Sequence, residues 1–377
     1  MPYDAAVIGA GVFGAWTAHH LRAAGLKVAL ADAYGAANSR ASSGGESRIV
    51  RMGYGADEIY TRSAMRSLTL WREFCVRTGE PLFHQTGVLW TAAEGDPYTE
   101  ETRQTLARCG AHFESLCPAD LESRYPQMHF APGAWGTFEP ESGALMARRA
   151  VEAVVADAVR HGVTFLREAV TAPHGAGPMA SVGGVFAGVF VFACGAWLPK
   201  IFPDLLAKRI APTRQEAFFF GTPPGDARFS PPAMPVWIDF SDPRGPYGFP
   251  DLENRGVKIA LDQHGPPIDP DTADRVPSAD ALAAARDCLG QRLPALRHAP
   301  LVEARVCQYE NTSNGDFLID RHPDFANVWL VGGGSGHGFK HGPAVGEYAA
   351  AHILQGGPVD PRYSLASKAE AQRRTVF

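Results

Sequence analysis

No CxxC pair occurs in the chain, and its six cysteines (75, 109, 117, 194, 288, 307) follow no regular spacing. A disulfide scaffold and a structural zinc site both need paired, spaced cysteines, so neither is expected, and no metal site of any kind is read here. The thiols read as reduced, which points to a reducing, cytoplasmic setting. Basic residues are not in excess: Lys+Arg 35 against Asp+Glu 40 gives a net charge of -5, with no long block of one sign. That excludes the basic stripe of a nucleic-acid binder and the acidic tail of a disordered chain. No basic n-region precedes the first apolar run, so no signal peptide is expected. No internal repeat is present. One stretch, Pro178 to Pro199, carries no charge and is long enough to raise a membrane question. Its glycines (183, 184, 188, 195) and its aromatic, β-branched centre VFAGVFVFA read as buried strands, so no membrane partner is expected.

What the chain does have is apolar material, 45% of its 377 residues, enough for about two to three domains. It opens with Tyr3–Ile8 (YDAAVI), a short apolar run that fits a buried strand. Gly9-Ala10-Gly11-Val12-Phe13-Gly14 follows, then helical spacing over Ala15–Ala24, a stop at Gly25, and a second strand, Val28–Ala31, ended by Asp32. This is strand, glycine turn, helix, strand, acid, the context that a GxGxxG needs before it means a dinucleotide site. The first glycine makes the tight turn, the second admits a pyrophosphate, and the third lets helix and strand pack closely. The helix N-terminus favours the anion, and Asp32 accepts a hydrogen bond from the adenosine ribose. The pattern does not separate NAD from FAD.

Further on, helical patterns cover about 60–77, Ala147–His161, Ser278–Leu293 and Pro343–Leu354, with strands at Val163–Leu166 and Val328–Val331. Between Phe83 and Tyr125 short strand-like and helical pieces alternate. The proline-rich stretch from Pro223 to Pro246 reads as long surface connections, and Ala366–Phe377 as a polar, frayed end.

Four segments narrow the cofactor: SSGGESRIVR (Ser42–Arg51), VFACGAW (Val191–Trp197), VCQYENTSNGDFLIDRH (Val306–His322) and LVGGGSGHGFK (Leu330–Lys340). Together they resemble the monomeric sarcosine oxidase family, within the D-amino-acid-oxidase-like FAD superfamily. The resemblance runs from about residue 3 to about residue 355. It implies an α/β chain: a Rossmann-like FAD-binding domain from 1–80, 142–205 and 320–377, and a substrate domain with a mainly antiparallel sheet from 81–141 and 206–319. The flavin lies between them.

The resemblance also assigns residues. Cys307 matches the family cysteine that forms a thioether to FAD; on its own it reads as a small buried hydrophobe. Arg305, two residues before it, is expected to supply a positive field that favours the thiolate. Lys258 matches the lysine at which oxygen is reduced. Arg51 and Lys340 match the two cations that hold the substrate carboxylate, a task that suits the planar fork of arginine. Arg48, Tyr247, Tyr309 and His337 match positions lining the catalytic site. Gly9, Gly11, Val12, Phe13, Gly14, Asp32, Ser42, Ser43, Arg48, Cys194, Gly195, Trp197, Gly333, Gly334, Gly336, Gly338 and Lys340 are expected around the cofactor. Asp262 departs from the family, which carries histidine there in its sarcosine-oxidising members. An acid beside the flavin suits a hydroxyl-rich or cationic substituent. His264 and His341 are further polar departures.

The implied reaction is FAD-dependent oxidation of a secondary amine on an α-amino acid, with imine and hydrogen peroxide as products and a monomer as the working unit. The partners are then a small-molecule amine and oxygen. Three other enzyme readings share the motifs: a biosynthetic oxidase of a cyclic, pipecolate-like amine or imine, a fructosyl-amino-acid oxidase, and a flavin amine dehydrogenase. A nucleotide-binding protein without turnover is the reading from another class. The joint presence of Cys307, Lys258, Arg51 and Lys340 argues against it.

Overall fold

The structure is a computed structural model in which residues 2–370 are described. Tyr3–Ile8 is the inner strand of a seven-stranded sheet. Its order runs Leu318–Arg321, Val328–Gly332, Val185–Phe192, Tyr3–Ile8, Val28–Ala31 and Thr164–Leu166, and Ser181–Val182 adds to Val185–Phe192. The pairings from Val328–Gly332 through Thr164–Leu166 are parallel. The uncharged stretch after Pro178 is buried only in part: Phe190–Phe192 is buried on both faces and needs no alternation, whereas Val185–Gly188 alternates and leaves Phe186 exposed. Among the described residues no helix is long and apolar enough to cross a membrane.

The helix after the first strand spans Val12–Ala23 and so begins inside the glycine motif rather than at Ala15. A Cβ on Gly14 would lie 1.8 Å from the carbonyl oxygen of Gly9, so only glycine lets the helix sit this close to the turn. Ala147–Arg160 is amphipathic as its spacing demands, burying Val151, Val154, Val155 and Ala158. Trp16, Trp71 and Phe74 close the core on this side, with the two indoles edge to face at 5.0 Å.

The second sheet has eight strands, in the order Leu301–Thr312, Ile210–Phe220, Val257–Leu261, Pro246–Phe249, Val236–Asp239, Val88–Ala93, Ala134–Glu139 and Glu114–Leu116. Every pairing but that of Val236–Asp239 with Val88–Ala93 is antiparallel. A small sheet of Arg48–Val50, Gly143–Leu145 and Phe83–His84 completes the set.

Two expectations change here. Val236–Asp239 is an inner strand within the proline-rich stretch: four residues between Pro235 and the next turn suffice when both neighbours supply hydrogen bonds. Lys368 is not frayed: it is buried, and its ammonium donates to the Arg362 carbonyl oxygen at 2.6 Å. Residues 371–377 lie outside the described part.

Candidate active site

Two cavities meet at the junction of the two large sheets. The first, about 400 Å³, runs along the carboxyl ends of the parallel strands. Gly9, Gly11, Val12, Phe13, Asp32, Ser42, Ser43, Arg48, Cys194, Gly195, Trp197, Gly334, Gly336 and Gly338 line it. Gly14 and Gly333 do not. They serve packing, since a Cβ on Gly333 would sit 2.4 Å from Thr312 Cγ2. Lys340 does not line it either and belongs to the second cavity.

The first cavity suits a dinucleotide. The Val12–Ala23 helix points its N-terminus at it, with no side-chain cap and no acid in the first turn. A Cβ on Gly11 would approach only Ser43 Oγ, at 3.7 Å, so the backbone is open to a ligand. Asp32 is more tied than expected: its Oδ2 accepts from Ala10 N (2.8 Å) and its Oδ1 from Tyr34 N and Gly35 N (2.9 Å each). It braces the glycine turn, and its remaining lone pairs serve a ribose. Cys194 Sγ donates to the Ile8 carbonyl (3.3 Å), and burial pushes its thiol far up, so it is an inert wall.

Glu310 was not anticipated. It lines the same cavity, and its Oε1 accepts from Gly334 N at 3.1 Å. Its Oε2 is buried with no hydrogen-bond partner among the described residues. An orphaned carboxyl oxygen on this wall fits a hydroxyl-bearing ligand, as FAD is. Burial pushes its carboxyl up to about 7, against the two backbone donors Gly334 and Gly333. Between the ordinary 4.5 and 7 the folded chain holds a proton that the unfolded chain has lost. The flavin-free protein is therefore expected to lose up to about 3 kcal/mol of stability through this group as pH rises across that window. Urea unfolding at pH 5 and pH 8 should show the loss in the parent and not in Glu310→Gln. Equal slopes would remove the assignment.

The second cavity, about 490 Å³, lies under the eight-stranded sheet. It shares Arg48, Cys307, Tyr309, Gly336 and Phe339 with the first. Strand register explains what faces it. Cys307 and Tyr309, two apart on Leu301–Thr312, share one side of the strand. Lys258 pairs with Phe219 on one side and Phe249 on the other. Its ammonium lies 4.5 Å from the Phe249 ring centre and donates to the Ser47 carbonyl at 2.8 Å. Burial, then the Arg48 charge, holds Lys258 well below the usual lysine range.

Arg48 donates to the Ser42 (2.6 Å) and Ser47 (2.9 Å) carbonyls and lies 3.5 Å from Cys307 Sγ. The cation beside that thiol is thus Arg48 and not Arg305. Arg305 Nε is engaged by Glu303 at 3.0 Å. Arg51 is buried, its guanidinium 4.3 Å from the Tyr54 ring centre and 4.8 Å from that of Trp90, and it donates to the Gly53 carbonyl. Lys340 donates to Tyr54 Oη (2.7 Å) and the His337 carbonyl (3.0 Å). Tyr309 Oη donates to Asp262 Oδ1 at 3.0 Å, and Tyr247 bonds to Tyr309 in turn. Burial, reinforced by the Asp262 charge, pushes Tyr247 up to about 12. His337 Nε2 is 2.9 Å from the Gly315 carbonyl, so the imidazole is anchored as well as cavity-lining. Among the described residues no group of three or more His, Cys, Asp and Glu is placed to hold a metal.

The site is therefore a dinucleotide channel opening onto a pocket with three buried cations, Arg51, Lys258 and Lys340. The family model for FAD dependent oxidoreductases matches residues 4–352. The chain belongs to the FAD-dependent oxidoreductase family. FAD is accordingly its cofactor. Monomeric sarcosine oxidase from Bacillus sp. (strain NS-129) is 31% identical over 364 residues, 92% of each chain. N-methyl-L-tryptophan oxidase from Citrobacter koseri is 30% identical, over 93% of this chain and 94% of that one. L-proline dehydrogenase from P. horikoshii shares the fold, with a TM-score of 0.83, 21% identity and 97% coverage of both chains.

Proposed function

We propose that this FAD oxidoreductase oxidises the C–N bond of a secondary amine on an α-amino acid, with oxygen as acceptor and hydrogen peroxide as product. The observation that carries the reading is the pairing of Arg51 and Lys340 in the pocket that abuts the dinucleotide channel. Two cations lining one cavity give it a field that favours an anionic group, and an amino acid brings a carboxylate. The similarity to sarcosine and N-methyl-L-tryptophan oxidases supports an N-substituted amino acid. Bound FAD supplies the two-electron acceptor for the C–H bond beside nitrogen and hands the electrons to oxygen. The protein's part is position and field. Arg51 and Lys340 clamp the carboxylate and fix the amine side of the molecule. Their positive charge also favours loss of the ammonium proton. Lys258 places a buried ammonium where oxygen gains charge. Tyr247, Tyr309 and Asp262 form a hydrogen-bonded row for the N-substituent. Segments 1–80, 142–205 and 320–377 are assigned to the FAD domain, and 81–141 and 206–319 to the substrate domain. The protein works as a cytoplasmic monomer.

The test is anaerobic bleaching of the purified yellow protein, with peroxide release in air. The panel holds sarcosine, N-methyl-L-tryptophan, pipecolate, proline and fructosyl-glycine. Bleaching by an N-substituted or cyclic amino acid is expected. No bleaching by any of them, with flavin present, would overturn the reading.

The proposal includes a thioether between Cys307 and FAD. Its support is that Cys307 lines both cavities beside the Arg48 guanidinium. Acid precipitation should leave the yellow colour in the pellet of the parent and release it from Cys307→Ser. Release from the parent would end the covalent assignment.

A further inference from the structure

A continuous row of hydrogen bonds leads out of the substrate pocket. Lys340 Nζ donates to Tyr54 Oη at 2.7 Å. Tyr54 Oη lies 2.7 Å from His341 Nε2, and His341 Nδ1 lies 2.9 Å from Ser63 Oγ. Ser63 is half-buried on the helix Glu58–Thr78, one residue from the exposed Arg62. One end of the row is in the pocket and the other is on a half-buried residue next to the protein surface. Each member between them both gives and takes a proton: a phenol, an imidazole, a hydroxyl.

His341 itself is fully buried. Lys340 and His337 face it from its own segment, Arg51 and Tyr54 from the loop after Arg48–Val50, and Tyr60 and Ser63 from the helix. Phe317 packs at 5.2 Å. Burial first, then the positive charge of Lys340, holds His341 well below the usual histidine range. A neutral imidazole carries one proton on either nitrogen and so passes protons in both directions. The branch from Tyr54 Oη to His337 Nδ1 (3.2 Å) ends at the Gly315 carbonyl, which only accepts.

We propose that Lys340, Tyr54, His341 and Ser63 form a proton exit that carries the substrate's ammonium proton to solvent. The proposal rests on the amine-oxidation reading, because an amine arriving as ammonium must lose a proton before its carbon is oxidised. Lys340 passes a proton to Tyr54 Oη as Tyr54 passes its own to His341 Nε2. His341 releases its Nδ1 proton to Ser63 Oγ, and the Ser63 proton goes to water. Lys340, now neutral, takes the ammonium proton and regains its charge. The net change is one proton from the amine to water. No electrons move, and the clamp on the carboxylate is restored. His341 is a positioning residue in this scheme, acting through Lys340 and Tyr54.

The test is anaerobic reduction of the holoenzyme by sarcosine and by N-methyl-L-tryptophan between pH 6 and pH 10. His341→Phe should lower the limiting rate about 10²-fold at pH 7, the low end for a lost proton-transfer group. The deficit should shrink as pH rises, because more of the amine then arrives without its proton. Tyr54→Phe keeps the ring and cuts the same row, so it should show the same pH-dependent deficit. Propionate affinity, read from the flavin absorbance, should stay that of the parent in His341→Phe. An equal loss at every pH, no loss, or a changed propionate affinity would overturn the exit while leaving amine oxidation standing. A parent that neither substrate bleaches would overturn both.

Discussion

Lys258→Met is expected to slow reoxidation of the reduced enzyme by oxygen about 10³-fold, while leaving reduction by substrate within a few-fold of the parent. The asymmetry follows from where the lysine sits. Its ammonium lies 4.5 Å from the Phe249 ring centre and 5.8 Å from that of Phe219, donates to the Ser47 carbonyl, and is buried with the Arg48 charge near it. Oxygen arrives neutral and acquires charge only as it is reduced, so a fixed cation helps that step and not substrate binding. Methionine fits the same aromatic slot, and trading a buried charge for an apolar chain of similar volume is close to neutral for stability. The change therefore isolates the charge. Stopped-flow mixing of pre-reduced protein with oxygen measures one half-reaction, and anaerobic mixing with substrate measures the other. Equal slowing of both would remove Lys258 from the oxygen step.

A pH dependence follows with a definite sign. Burial and Arg48 lower the proton affinity of Lys258. The cationic form is then lost at a lower pH than for an ordinary lysine at 10.5. The reoxidation rate should fall on the alkaline side through that depressed value, and Lys258→Met should be flat over the same range.

How much of this is legible in the sequence depends on whether the information is local. The glycine turn is local: Gly9, Gly11, Gly14 and Asp32 lie within one strand–helix–strand unit, and each finds the turn, the open cradle or the packing contact its spacing demands. Arg51, Lys258, Cys307 and Lys340 are remote in sequence and were named by motif, and the structure brings all four to one pocket. What failed was long-range. Arg305 is near Cys307 in sequence, but Glu303 on the same strand takes it, and Arg48 arrives from 259 residues away. Val236–Asp239 lacks any periodicity of its own and becomes a strand because the chain on either side needs it. Glu310 follows Tyr309 in the strand Leu301–Thr312, and only the burial of its Oε2 against the channel marks it. Tyr54 carries no motif, and its meaning comes from Lys340 and His341, nearly 290 positions on.

Arg51→Gln is the second large effect, and it separates binding from chemistry. Arg51 stacks between Tyr54 and Trp90, and Glu139 lies close by: it accepts from Met52 N, Gly53 N and Trp90 Nε1. Glutamine keeps a planar polar tip but removes the charge and the fork. A charge-assisted bidentate contact is worth about 1.5–3 kcal/mol, so kcat/KM for an N-methyl amino acid should fall about 10²-fold, with most of the loss in KM. The decisive comparison is with a substrate that lacks the carboxylate. Replacing the amino acid by the corresponding N-methyl amine should cost the parent the same order of magnitude, and should cost Arg51→Gln little more, because the two changes remove opposite halves of one interaction. If the losses instead multiply in full, the carboxylate is bound elsewhere and Lys340 becomes its holder. If Arg51→Gln leaves KM unchanged, neither the clamp nor the choice of an amino acid as substrate survives.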